Sequence, residues 1–241
     1  MRRASNIVIP TRREVLMLGG LMATGCAGRQ GRSAAGPDGG FRDADDESDL
    51  GPLAAEDRPE PLGRKKLEAI NAGYIHVRHV NTREEASIRL LEPDMDAVDG
   101  WVVRPEGRTQ MAHFLRDWRK GVEKIPPDRL LHHLHALARH FEARIHIISG
   151  HRSTTRKSSR HYQGKAIDLR VDGVDHKEVW SVLRTLPKVG SGYYPNARFV
   201  HLDVRKRSYS WIDDSGPGEK SRYRKGVPQP PRAVDKQPLP G

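Results

Sequence analysis

The pattern of hydrophobic and polar positions predicts the first folded elements in the middle of the chain. Residues 74–80 and 86–91 alternate in the manner of strands, and the turn-like stretch between them predicts a β-hairpin. Residues 109–120 and 128–142 are predicted to form helices. The second helix follows two prolines and presents an apolar stripe on one face, made of Leu130, Leu134, Leu137 and Phe141.

The pattern that follows predicts shorter elements. The β-branched stretches 144–148, 165–171 and 198–204 are predicted to be strands, and residues 175–186 are predicted to form a further helix. Helices followed by strands that are separated by loops favour an α+β domain.

The segments on either side lack periodic hydrophobic residues. Residues 27–63 are rich in Gly, Ala, Pro and Asp and predict a disordered acidic tether. Residues 212–241 are polar, with five prolines from position 228 onward, and predict a disordered, mobile tail. The folded domain is therefore predicted to span residues 64–211.

The first 26 residues resemble a twin-arginine export signal. Arg12 and Arg13 precede an apolar stretch that is well under the ~18 residues needed to span a bilayer. Cys26, the single cysteine, stands where a lipoprotein signal has its modified cysteine, although an unmodified cysteine in a cleaved peptide is the alternative. We therefore expect an exported, periplasmic protein whose one link to a membrane is lipidation of Cys26, with the outer membrane favoured.

The formal net charge of +11 favours an anionic partner, such as nucleic acid, a membrane surface or the acidic cell-wall polymer. Aromatic residues make up only 6% of the chain, and no basic stretch is interleaved with aromatics that would stack on bases. Nucleic acid is therefore disfavoured as a partner. We find no internal repeat and expect a monomer.

Polar residues in and beside two predicted strands have the pattern of a metal site. His161 lies in a loop, and Asp168 follows on the strand face opposite its apolar neighbours. The same alternation places His201 and Asp203 together on one face of the strand at 198–204. Two imidazoles and a carboxylate with an open fourth position are what a hydrolytic Zn²⁺ requires. The alternative is a polar strand face with unrelated histidines, because the chain has twelve of them.

An ordered set of motifs resembles those of the D-alanyl-D-alanine peptidases and murein endopeptidases. These include endopeptidase K-like enzymes, and their fold is shared with the hedgehog signalling domain. The motifs are Ser-Gly-His-Arg-Ser at 149–153, Ser-x-His-x-x-Gly-x-Ala-x-Asp at 159–168, Gly-Ser-Gly-Tyr-Tyr-Pro at 190–195 and Phe-Val-His-x-Asp at 199–203. The likeness extends from about residue 74 to residue 211.

This resemblance implies a hedgehog/DD-peptidase-like domain, with a small antiparallel sheet and helices packed on it. It implies that the zinc ligands are His161, Asp168 and His201. It also implies that Arg152 faces a substrate carboxylate or the developing oxyanion, a role that suits its planar fork of donors.

The sequence departs from the family pattern at three places. His151 replaces the usual tyrosine, and the loop at 154–158 is shorter and more basic than in the family. Arg198 stands where some members carry a glutamate, so the general base is unassigned. Asp203 shares a face with His201 and is interpreted as the base, as the group that orients His201, or as a purely structural residue.

The resulting hypothesis is a zinc-dependent peptidoglycan endopeptidase that hydrolyses amide bonds in stem-peptide crosslinks. The alternatives are a D,D- or L,D-carboxypeptidase on the same substrate and an inactive, metal-containing wall-binding module. The four tryptophans are interpreted as packing residues. The histidines of the second predicted helix are interpreted as a solvated face, because no carboxylate accompanies them: His132, His133, His135 and His140.

Overall fold

The computed structural model describes residues 61–97 and 100–239. The predicted signal sequence, Cys26 and all but the last three residues of the predicted tether lie outside these ranges. In the part of the chain that is described, no helix has both the length and the apolar character needed to cross a membrane.

The described chain forms an α+β domain, as the hydrophobic pattern predicted. The elements in chain order are α1 Arg64–Asn71, β1 Tyr74–His79, β2 Glu85–Arg89, β3 Leu91–Pro93, β4 Trp101–Val103, α2 Pro105–Phe114, α3 Asp128–Phe141, β5 Ile145–Ser149, β6 Ala166–Val171, α4 His176–Leu183, β7 Val189–Tyr194, β8 Phe199–Val204 and β9 Tyr209–Ile212, followed by a 3₁₀ turn at Val234–Lys236.

Seven strands form one mixed sheet in the order β2-β1-β5-β6-β8-β7-β9, and β3 pairs with β4 in a separate ribbon. The strand pairs β1–β5 and β7–β9 are parallel and the other pairs are antiparallel. The prediction of a small antiparallel sheet was therefore wrong in size and in direction. The helices α2 and α3 lie between β1 and β5, and this long connection allows the two strands to run parallel.

Several element boundaries differ from the predicted ones. The predicted hairpin is confirmed as β1 and β2. The helix predicted at 109–120 is α2, which begins earlier because Pro105 occupies its first turn, where a missing N–H costs nothing. It ends at Phe114, and the chain then turns through a bridge between Asp117 and Val122. Helix α1 and the strands β3, β4, β7 and β9 were not predicted.

The main core lies between one face of the sheet and the helices α3 and α4. The leucine stripe of α3 is buried there, as predicted. The four histidines of α3 are buried as well, which contradicts the predicted solvated face. The helix also contacts α1 and β4, and His135 is hydrogen-bonded through Nε2 to the carbonyl of Ile70 at 3.0 Å. Because other elements cover α3 on several sides, its polar side chains are buried together with its apolar ones.

Residues after 212 pack on the edge strand β9. Ser210 donates its backbone N–H to Gln229 Oε1 at 2.9 Å and accepts from Gln229 Nε2 at 2.8 Å. The Asp235 carboxylate accepts from the backbone N–H of Lys188 at 2.9 Å and from Ser208 Oγ at 2.6 Å. The expected unpacked, mobile tail is therefore a wrong prediction for the described residues, because polar side chains attach this segment to the backbone of the domain.

Candidate metal centre

A single row of residues crosses five neighbouring strands and contains the candidate site. In register from β5 to β9 the row is Ser149, Asp168, His201, Gly192 and Trp211. The residues on either side of Asp168 and His201 along their strands belong to the main core. Because side chains alternate along a strand, the row lies on the face turned away from that core. The site is therefore built on the sheet itself.

The structure brings together the three predicted ligands. His161 Nε2 lies 3.2 Å from His201 Nδ1 and 3.4 Å from Asp168 Oδ2, and His201 Nδ1 lies 2.8 Å from Asp168 Oδ1. One ligand atom from each residue falls within 4.8 Å of the other two, and all three residues are buried. This is the only such group of histidine, cysteine, aspartate or glutamate in the described residues. The three side chains are close enough to share one ion.

In each imidazole, the ring nitrogen that points away from the cluster has a hydrogen-bond partner, as expected if the other nitrogen binds a metal. His161 Nδ1 is 2.7 Å from the carbonyl oxygen of Gly150, so this nitrogen is the donor and Nε2 is left for a ligand. His201 Nε2 is 3.2 Å from Asp203 Oδ2, which leaves Nδ1 facing the centre. A carbonyl or carboxylate on the far nitrogen is the usual support of a metal-binding histidine. The donor set therefore fits a Zn²⁺ ion.

The charges around this centre act on each group differently. Burial lowers the pKa of His161, and the nearby Arg152 charge lowers it further. Burial opposes protonation of His201, but its hydrogen bonds to Asp168 and Asp203 raise its pKa to about 9. Burial would raise the pKa of Asp168, yet the charges of His161 and Arg152 bring it well below its ordinary value. The carboxylates of Asp168 and Asp203 therefore favour positive charge at His201.

Asp203 lies directly behind His201 and is fully buried. Arg205 Nε donates to Asp203 Oδ1 at 2.7 Å, and Arg205 Nη2 donates to Oδ2. Burial would raise the pKa of Asp203, but the Arg205 charge and the bond to His201 lower it. Both carboxylate oxygens are thus engaged, which favours the orienting role over that of general base.

Arg152 reaches the site from the loop after β5. Its Nε donates to Ser149 Oγ at 2.8 Å, and its Nη2 donates to Asp168 Oδ2. The side chain thus holds one oxygen of a predicted metal ligand. Of the five N–H groups of the guanidinium, two make these bonds, and the others have no hydrogen-bond partner among the described residues.

Two glycines of β7 make room for the wall of the site, and their role was not recognised from the sequence. A Cβ on Gly192 would lie 2.6 Å from the Trp211 ring, which itself is 5.2 Å from the His201 ring. A Cβ on Gly190 would collide with Asp203 and Arg205. Two glycines spaced two apart share one strand face, and this spacing was the available signal.

A buried aspartate beside the Arg152 loop was also missed. Asp117 Oδ2 accepts from the backbone N–H of Ser153 at 2.9 Å and from Ser153 Oγ at 2.5 Å. On the other side of Arg152, His151 donates its backbone N–H to Leu115 O at 2.6 Å. The segment after α2 therefore holds the loop that carries Arg152. A lone aspartate after a helix gives no sequence signal of this contact.

A family model described as peptidoglycan L,D-endopeptidase MepK matches residues 68–209, more than half of the 241-residue chain. The chain belongs to this family. The resemblance to murein endopeptidases found in the motifs is thereby confirmed. The three predicted ligands, Arg152 and Asp203 lie within the matched span, and Trp211 lies just beyond it.

Curated relatives carry the same description. The probable peptidoglycan L,D-endopeptidase MepK of Haemophilus influenzae is 29% identical over 142 residues, covering 53% of this chain and 73% of that protein. The peptidoglycan L,D-endopeptidase MepK of Escherichia coli K12 is 29% identical over 120 residues, covering 44% of this chain and 66% of that protein. No solved structure matches the chain, and the hedgehog/DD-peptidase fold stays a prediction.

Proposed function

We propose that this protein is a zinc-dependent peptidoglycan endopeptidase that hydrolyses amide bonds in stem-peptide crosslinks. The observation that carries the proposal is the convergence of His161, Asp168 and His201 on one point. The names of the family and of its relatives supply the substrate class and favour an L,D bond.

In this proposal Zn²⁺ would be held by His161 Nε2, His201 Nδ1 and a carboxylate oxygen of Asp168. When bound, the ion supplies Lewis acidity for a substrate carbonyl and lowers the pKa of a coordinated water. Arg152 orients Asp168 and offers its other N–H groups to the carbonyl oxygen as negative charge develops there. Asp203 keeps the His201 ring in one orientation and tautomer.

The remaining sequence predictions form part of the same proposal. We propose an exported, monomeric protein of the periplasm, attached to the outer membrane if Cys26 is lipidated. The peptidase domain is placed at residues 64–211, preceded by the signal at 1–26 and the tether at 27–63, and followed by the segment that packs on β9.

The test is digestion of purified murein that contains several crosslink types, with analysis of the released muropeptides. We expect crosslinked fragments to be lost with the zinc-loaded protein and to be retained after chelation. Cleavage should recover when Zn²⁺ is returned. The His161→Ala variant should retain the fold but bind no stoichiometric zinc. An unchanged muropeptide profile with zinc-loaded protein would contradict the proposal.

Trimming of stem ends without loss of crosslinks would indicate a carboxypeptidase instead. A binding-only role is the second candidate, because both oxygens of Asp203 are engaged and no general base is assigned. Retention on murein sacculi without release of any fragment would indicate that role.

A further inference from the structure

Two loops beside the candidate site carry an excess of positive charge. Residues 118–125 include three basic residues and one acidic residue, and residues 152–165 include five basic residues and none that is acidic. The one acidic residue, Glu123, is paired with His113 at 2.9 Å. We define the basic rim as five of these basic residues: Lys120, Lys124, Lys157, Arg160 and Lys165.

The two loops are joined to each other and to the site. Lys124 Nζ donates to the carbonyl of Tyr162, the residue after His161, at 2.8 Å. At the other end of the same loop, Lys120 donates its backbone N–H to Asp117 O, and the Asp117 side chain holds Ser153 next to Arg152. These bonds therefore tie residues 118–125 to the segment that carries His161 and to the segment that carries Arg152.

The charge of the basic rim is not neutralised by acidic groups in the described structure. Lys124 bonds to a backbone carbonyl, and Arg160 and Lys165 both bond to the neutral side-chain oxygen of Gln163, at 3.4 and 3.2 Å. Lys120 and Lys157 are exposed and form no ion pair with any described residue. Unpaired charge of one sign at the mouth of a site raises the local concentration of oppositely charged substrate.

We propose that the basic rim binds free carboxylates of the stem peptides on either side of the bond that is cut, so that the protein prefers stems whose carboxylates are not amidated. This inference rests on the proposed function. Lys124 bonds to the residue after His161, and Lys165 directly precedes the strand that carries Asp168, so part of the rim lies next to residues that would hold the scissile amide. Exposed lysines act as mobile point charges, which suits carboxylates at several positions along a stem.

Contacts of this kind form in the ground state and persist in the transition state. They should therefore lower KM and leave kcat unchanged. Because the lysines are exposed, the effect should weaken as salt screens the charges.

The test compares two matched double variants, Lys120→Glu with Lys157→Glu in the rim and Lys65→Glu with Lys220→Glu outside it. Lys65 and Lys220 are also exposed. Each double variant replaces two lysines with glutamates, so both change the net charge by the same amount. The substrates are synthetic crosslinked stem dimers with free or amidated α-carboxylates. For the rim variant we expect KM on the free-carboxylate dimer to rise about tenfold at low salt, with kcat unchanged, and the difference to shrink at roughly 0.5 M salt.

The amidated dimer should show the same KM with the wild type and both variants, and thermal unfolding should show that both variants are folded. The inference is overturned if the wild type cleaves both dimers with equal kcat/KM, or if the two variants raise KM equally. It is also overturned if the rim variant loses binding to anionic phospholipid vesicles while hydrolysis is unchanged, since the rim then serves a phosphate-bearing surface. If the zinc-loaded wild type cleaves neither dimer nor murein, the proposed function itself has failed.

Discussion

The role of Asp203 can be decided by replacing it with asparagine. The amide keeps the size and one acceptor oxygen, but it removes the negative charge that faces His201 Nε2 at 3.2 Å. If Asp203 orients His201 for a metal, the variant should bind Zn²⁺ more weakly. If Asp203 is instead the general base, metal affinity should be nearly unchanged and kcat should fall.

The expected size follows from the contact that is lost. A hydrogen bond to a charged group contributes about 1.5–3 kcal/mol in a buried setting, and 1.4 kcal/mol corresponds to a tenfold change in Kd. The Kd for Zn²⁺ should therefore rise about 10- to 100-fold, which is also the usual cost of losing a residue that supports a metal-bound histidine. Arg205→Gln, which removes the partner of Asp203 but keeps the carboxylate, should give a smaller increase.

The assay is competition for Zn²⁺ with a chromophoric chelator at fixed pH, with circular dichroism of the metal-free protein as the folding control. Activity should be measured at saturating zinc, where a purely orienting residue leaves most of kcat intact. An unchanged Kd together with a kcat reduced by about a hundredfold or more would refute the orienting role and restore Asp203 as the base.

Three further predictions concern Gly192, Asp117 and the buried histidines of α3. Gly192→Ala should push the Trp211 ring away from His201 and cost about 1–3 kcal/mol of unfolding free energy, as seen for overpacked sites, together with activity. Asp117→Ala should lower kcat without changing bound zinc, because it frees the loop that carries Arg152 while leaving the three ligands in place. Acid should destabilise the protein, because burial lowers the pKa of His133 to about 3 and of His135 to about 4.

The lowered pKa values of His133 and His135 set the sign and size of the change in unfolding free energy with pH. Both histidines are neutral when folded, whereas the unfolded chain takes up protons near pH 6.5, so their contribution is complete above that pH and is lost as the pH falls toward 4. At pH 5 each histidine should cost about 2 kcal/mol of unfolding free energy relative to neutral pH. Urea titrations of the metal-free protein measure this, and a flat stability between pH 7 and pH 5 would contradict it.

Controls are available for the other two predictions. Gly216→Ala places its Cβ at ordinary contact distance, 3.4 Å from Glu219, and should be neutral; equal losses in both glycine variants would refute the role given to Trp211. For Asp117, the Ser153→Ala variant should reproduce part of the kcat loss. Loss of zinc from the Asp117 variant would show a general structural effect instead.

The sequence predicted the faces of the strands well and the surroundings of the helices poorly. Alternation correctly put Asp168 and His201 opposite the core, because side-chain direction in a strand is a local property. The burial of His135 was missed because it depends on α1 and β4 covering a side of α3 that its own periodicity marks as polar. His133 faces Pro187 instead, which is equally remote in the sequence. Likewise, the packing of residues after 212 rests on single polar contacts, such as that of Asp235 with Ser208, which leave no periodic trace.

The local sequence pattern does not specify the register between strands, and the candidate site depends on that register. Asp168 and His201 meet because β6 and β8 pair with these two residues directly opposite each other. A slip of one residue would turn one of the two strands over and send its ligand into the core. The same register places Gly192 between His201 and Trp211. Because Gly192 has no side chain, the Trp211 ring has space next to His201 in this pairing. Gly190 and Gly192 are therefore as much a part of the candidate site as the histidines, because any larger residue would collide with Asp203, Arg205 or Trp211 in this strand pairing.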